Sequence, residues 1–99
     1  MPPTAHEWRV EDYLKDPDEQ LMYLQEMSKS GDPVMIQTAL GNIARARASG
    51  MTDISKKAGV GRESLYKSLS SSGNPSFATV LRVAQALGFE FTAKRKAAR

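Results

Sequence analysis

The chain has 99 residues, 40% hydrophobic and 25% charged, which is enough for one domain around a single modest core. It has no cysteine and one histidine, His6, in a proline-containing start; this argues against disulfides, a thiolate nucleophile, a zinc finger, a histidine-dependent triad and a multi-histidine metal site, so no cofactor and no enzymatic activity are expected, and without a long apolar run or a signal-peptide core neither a membrane partner nor a location outside the cytoplasm is. The net charge of +3 hides a division, since residues 1–40 carry eight anions against three cations (−5) and residues 41–99 eleven cations against three anions (+8): the first section suits a cationic protein and the second a phosphate backbone, the plainer alternative being that both are solvated helix faces.

Residues 1–14 read as a short N-terminal extension that carries Trp8 and Tyr13. The first helix is announced by Asp16 as N-cap, Pro17 at the first helical position and Glu19 in the first turn; Leu21, Leu24 and Met27 follow at helical spacing, and Gly31 closes it. Asp32 and Pro33 repeat the device for a second helix whose apolar face is Met35, Ile36, Ala39, Leu40 and Ile43, with its end expected at Gly50. Gly41 inside that helix costs about 1 kcal/mol against alanine, so a neighbour packed close against it is expected.

The segment MTDISKKAGVGRESLYKSL, residues 51–69, has the pattern of a helix-turn-helix. Ile54 and Ala58 lie four apart on a first short helix, Gly59 supplies the sharp turn, Val60 plugs it, and Leu65 and Leu69 face inward from a second helix. Arg62, Glu63, Tyr66 and Lys67 then fall on the outer face of the helix that enters the DNA major groove in this motif. Arg62 can donate two hydrogen bonds to guanine O6 and N7, or grip a phosphate. Glu63 can accept from cytosine N4, or pair with Lys67 one turn on. Ser64, Tyr66 and Lys67 can reach phosphates or bases, with the alternative that the Tyr66 ring lies on the helix surface. Thr52 can offer its hydroxyl and nearby backbone N–H groups to a phosphate, and Gly61 at the entrance of the second helix completes the candidate surface.

Residues 70–75, SSSGNP, read as a loop, and Ser76 can cap a last helix whose Phe77, Val80, Leu81, Ala84 and Leu87 face the core before Gly88 ends it. Phe89 is either the apolar contact that accompanies a glycine C-cap or, with Glu90 and Phe91, a short strand used in dimerisation. Residues 94–99, KRKAAR, form a basic tail that either touches phosphates or only aids solubility. The division is therefore an extension (1–14), a helix-turn-helix domain (15–88) and a strand or dimer segment with a basic tail (89–99).

The order of helices resembles the phage-repressor (XRE, lambda-type) class over roughly residues 32–88, which implies an all-α, five-helix lambda-repressor-like DNA-binding domain. A narrower resemblance, across residues 13–88, is to addiction-module antidote proteins of the HigA type, and its most specific pieces are ALGNIARAR (39–47), GRESLYKSLS (61–70) and GNPSFATVL (73–81). The chain departs from the broader pattern at three positions. Ser55 stands where alanine is usual, Ser68 where an aliphatic residue is usual, with Leu69 expected to take over that packing, and Met51 where many phage-type repressors place a phosphate-bracing glutamine. The antidote family tolerates a small residue at the position of Ser68.

The narrower resemblance implies an antitoxin that binds a RelE/ParE-like (HigB-type) toxin and represses its own operon. Combined with the acidic first section, it makes the helix after Asp16 a candidate toxin surface, with Asp18, Glu19 and Glu26 as charged contacts and Trp8 or Tyr13 as aromatic anchors, the alternative being a capped, solvated helix that only completes the bundle. One reading unit spans only a few base pairs, so a homodimer on an inverted repeat of double-stranded operator DNA is expected, with residues 89–92 and the last helix as candidates for its surface. The alternatives are a stand-alone XRE-type repressor without a toxin and an interaction module that has lost DNA binding.

Overall fold

A computed structural model describes residues 10–47 and 50–97. The described residues are all-α. A 3-10 helix, Val10–Tyr13, precedes five α-helices: α1 Pro17–Lys29, α2 Pro33–Ala46, α3 Gly50–Ala58, α4 Arg62–Ser68 and α5 Phe77–Ala86. None of them is long and apolar enough to cross a membrane.

Local chemistry sets most of the boundaries. Asp16, extended at φ −122° and ψ 161°, accepts from the Glu19 N–H at 2.9 Å, while Glu19 Oε1 accepts from the backbone N–H groups of Lys15 (3.1 Å) and Asp16 (3.4 Å), so α1 opens with a full capping box behind Pro17. Asp32 accepts from the Val34 N–H at 2.9 Å and starts α2, and Ser76 accepts from the Thr79 N–H at 3.1 Å and starts α5. At the other end of α5, Gly88 at φ +90° lets the Phe89 N–H reach back to the Ala84 carbonyl at 2.9 Å, and Phe89 packs against the core. Phe89 is thus the C-cap contact, and the described residues of the 89–97 segment form no strand.

α2 is the central element. Ala39, Leu40, Ile43 and Ala44 are fully buried, with α1 and the 3-10 helix packed on it to one side and α3 and α5 to another. The core is completed by Leu14, Leu24, Met51, Ile54, Ala58, Leu65, Leu69, Val83 and Leu87. Met51 lies inside, so it cannot brace a phosphate as a glutamine would. Ser55 is buried too, its hydroxyl satisfied by donating to the Thr52 carbonyl at 2.8 Å. Leu69 is buried where Ser68 is only half-buried, and it takes over the aliphatic packing as expected.

Four expectations from periodicity are corrected. α2 ends at Ala46, and Gly50 is the first residue of α3. Arg47 turns extended (φ −70°, ψ 145°) because its guanidinium is held by distant partners: Nε donates to Gln20 Oε1 at 2.9 Å and Nη2 to the Leu87 carbonyl at 2.6 Å. Leu21, Met35 and Phe77 do not face the core. On α1 the inward stripe is Gln20, Tyr23, Leu24 and Met27, which leaves Leu21 outside. On α5 the inward residues are Val80, Val83, Ala84 and Leu87, and Phe77, in the first turn, is 74% exposed.

Candidate functional site

α3 and α4 form two short helices joined by a tight turn. Gly59 sits at φ +72°, a conformation that a side chain would strain, and the Val60 N–H then closes back on the Ser55 carbonyl at 3.0 Å. Val60 is half-buried and packs against the core, as expected of a plug. Gly61, extended at φ −61° and ψ 145°, is the N-cap of α4, and its carbonyl accepts the first helical bond from the Leu65 N–H at 2.8 Å.

One residue divides the faces of α4. Leu65 is fully buried, and Arg62, Glu63, Ser64, Tyr66 and Lys67 are exposed around it. Thr52 is exposed near the start of α3. The residues expected to contact DNA are therefore all solvent-facing on these two helices and the turn between them. Within that group the Arg62 guanidinium carbon lies 5.7 Å from the centroid of the Tyr66 ring, a cation–π pair that sequence reading missed although the four-residue spacing allowed for it. The alternative expected for Glu63, an ion pair with Lys67, is not formed. The pair that does form in this region is Lys57 with Asp53 at 3.1 Å on α3.

The far end of α4 is fixed from α2. The Gln37 side chain, itself buried, donates through Nε2 to the Ser70 carbonyl at 2.8 Å and to the Gly73 carbonyl at 2.9 Å, which clamps the loop that leaves α4. Gly41 gives the close approach expected of it: a Cβ there would stand 3.2 Å from Leu69 Cβ. Gly73 is packed harder still, and a Cβ on it would overlap the carbonyl oxygens of Lys67 and Ser68. Gln37 carried no sequence signal, because its partners are backbone atoms 33 and 36 residues away; Gly73 was read only as part of a loop, although the atoms that crowd it are five and six residues back.

The residues expected to meet a protein partner are less of a unit. Trp8 lies outside the described residues. Tyr13 is exposed at the end of the 3-10 helix, and Asp18 and Glu26 share the outward face of α1. Glu19, also exposed, is engaged in the capping box. Glu26 pairs with Lys29 at 3.5 Å; both side chains are largely in water, so the pair contributes little. Sequence reading missed the apolar part of this face. Met22 is 67% exposed and Leu21 41%, and with Asp18 and Glu26 they line an open groove closed on its other side by Phe89, Glu90 and Phe91.

The chain belongs to a family described as "Probable addiction module antidote protein", whose model matches residues 4–95. It is 42% identical over 91 residues to an uncharacterized protein of Haemophilus influenzae, and the match covers 92% of each chain. No solved structure matches it.

Proposed function

We propose that this protein is the antitoxin of a HigA-type toxin-antitoxin module, binding and neutralising a RelE/ParE-like (HigB-type) toxin and repressing its own operon as a homodimer on an inverted repeat. In this reading α3 and α4 are the two helices of an XRE-type helix-turn-helix within a lambda-repressor-like domain. α4 enters the major groove with Arg62 and Lys67 foremost; Glu63, Ser64 and Tyr66 stand beside them, and Thr52 and Gly61 lie against the backbone. The observation that carries the reading is the division of α4 in a member of an antidote family: Leu65 is fully buried while the polar residues around it are all exposed.

The toxin surface in this reading is the outward face of α1. Asp18 and Glu26 supply charge, the exposed Leu21 and Met22 supply apolar contact, and Tyr13, at the end of the 3-10 helix, is an aromatic anchor, with Trp8, outside the described residues, proposed as a second. α1 rests on α2, so this face and α4 are carried by different parts of the molecule.

One experiment addresses both activities. The protein is titrated onto a fragment of its own promoter at rising salt, and separately onto the small toxin encoded beside it. Parent, Arg62→Ala and the charge reversal Asp18→Lys/Glu26→Lys are compared. Arg62→Ala should weaken promoter binding by about 1–3 kcal/mol and leave toxin binding intact. The charge reversal should do the opposite. Promoter binding that is absent, or indifferent to salt, would refute the repressor half of the proposal. Toxin binding untouched by charge reversal would move the toxin surface off α1.

A further inference from the structure

We propose that Tyr66 is a positioning residue for Arg62, setting the orientation in which the guanidinium meets the edge of a base without itself reading that base. The inference rests on the reading of α4 as a DNA-recognition helix. Arg62 is the first residue of α4 and Tyr66 lies one turn further on the same outward face, with the guanidinium carbon 5.7 Å from the ring centroid. Among the described residues no carboxylate takes the guanidinium: Glu63 is adjacent in sequence but forms no ion pair with it, and the ring is the partner these residues provide.

A cation–π contact draws on the charge of a guanidinium and does not consume its N–H groups. These point outward in the plane of the fork, so an arginine held near a ring keeps the two parallel donors that match guanine O6 and N7. A long side chain at the first position of a helix otherwise samples many rotamers, and ordering it at the moment of binding opposes association. The Tyr66 ring, one turn on and within cation–π range of the guanidinium, removes part of that freedom beforehand. This also defines what Tyr66 must supply, which is a ring and not a hydroxyl.

The test measures discrimination as well as affinity. Parent, Arg62→Ala, Tyr66→Phe, Tyr66→Leu and the double variant Arg62→Ala/Tyr66→Leu are assayed by competition between a promoter fragment of the protein's own operon and its single base-pair variants, with thermal melting in parallel. Tyr66→Phe should discriminate as the parent does. Tyr66→Leu should lose about 2- to 5-fold at the base pair where Arg62→Ala loses discrimination and nowhere else, with melting unchanged. The double variant should be no worse than Arg62→Ala alone. Full discrimination in Tyr66→Leu, or additive losses in the double variant, overturns the inference. So does an equal loss in Tyr66→Phe, which would make the hydroxyl a direct DNA contact. If Arg62→Ala leaves promoter binding unchanged, the reading of α4 as the recognition helix fails and this inference fails with it. A normal Arg62→Ala defect beside a silent Tyr66→Leu overturns the positioning role alone.

Discussion

Two glycines hold the carboxyl-terminal end of α4 in place, and replacing each with alanine should have very different consequences. Gly73 lies in the loop after α4, and a Cβ there would overlap the carbonyl oxygens of Lys67 and Ser68 and stand 2.6 Å from the Ser68 carbonyl carbon. All three are backbone atoms of the last turn of α4 and cannot rotate away. Relieving the overlap moves either the loop or the helix, at about 1–3 kcal/mol for a misfit of one methyl. If the loop moves, the two hydrogen bonds from Gln37 stretch, each about 0.5–1.5 kcal/mol. The smaller conformational freedom of alanine in the unfolded chain returns about 0.4–1 kcal/mol, so the net loss for Gly73→Ala is on the order of 1–4 kcal/mol. At Gly41 the nearest atoms to a Cβ are Leu69 Cβ at 3.2 Å and the Leu69 carbonyl oxygen at 3.3 Å, which a shift of a few tenths of an ångström relieves. Alanine in mid-helix gains about 1 kcal/mol over glycine, so Gly41→Ala should come out within about 1 kcal/mol of the parent. Urea unfolding followed by helical circular dichroism, with melting temperatures alongside, measures both. Each kcal/mol is worth about 4–8 °C in a domain of this size. A Gly73→Ala protein with the parent's urea midpoint, or a Gly41→Ala protein less stable than Gly73→Ala, would refute the account of how α4 is seated.

Leu65→Ala should cost about 2–5 kcal/mol, a large share of the roughly 5–15 kcal/mol that holds such a domain folded, and promoter binding should fail through unfolding; a variant with the parent's melting temperature and no DNA binding would place Leu65 on the DNA face instead. Arg47→Ala removes the bonds to Gln20 Oε1 and the Leu87 carbonyl, and should cost about 1.5–3 kcal/mol with faster amide hydrogen exchange in α1 and at the end of α5; unchanged exchange there would show that the tie carries no load. Phe77→Ala should stay within about 0.5 kcal/mol of the parent in a melt of the monomer, whereas a loss above 2 kcal/mol would return Phe77 to the core face that periodicity gave it.

What could be read in advance follows the range of the interactions. Asp16, Asp32 and Ser76 cap helices through bonds to residues two or three positions away, and Gly59 and Gly88 turn the chain through their own φ, so five short segments announced themselves. The exit from α2 could not be read, because Arg47 is held by Gln20 and Leu87, residues 27 and 40 positions away. For the same reason Gln20 and Gln37 look like surface residues in the sequence and are buried in the fold, each with its amide satisfied by backbone carbonyls. Helical spacing placed the polar residues of α4 outward, and with Leu65 as reference the structure has them there. It failed for Phe77, Leu21 and Met35 because helical period identifies an apolar stripe but not its edges, which the neighbouring helix decides.

Charge needs the same correction before it supports any argument about phosphate. The positive section carries eleven cations, and several of them already have partners within the protein, whether held in the fold or only paired at its surface. Arg47 ties α1 to the end of α5, Arg45 donates to Asn42 Oδ1, and Lys57 is paired with Asp53. The tail cations Lys94, Arg95 and Lys96 lie alongside Ser28, Lys29 and Ser30 at the end of α1, which places them with the acidic helix and not with α4. On α4 itself the exposed cations are Arg62 and Lys67, and the Arg62 guanidinium carbon lies 5.7 Å from the centroid of the Tyr66 ring. On the proposed reading, a face with few cations keeps binding sensitive to salt through the phosphate contacts it makes, and depends for its discrimination on the geometry of each contact. On that same reading the tight seating of α4 against Gln37, Gly41 and Gly73 would serve recognition, because a helix that discriminates through a few directed hydrogen bonds cannot be allowed to shift relative to the core that carries it.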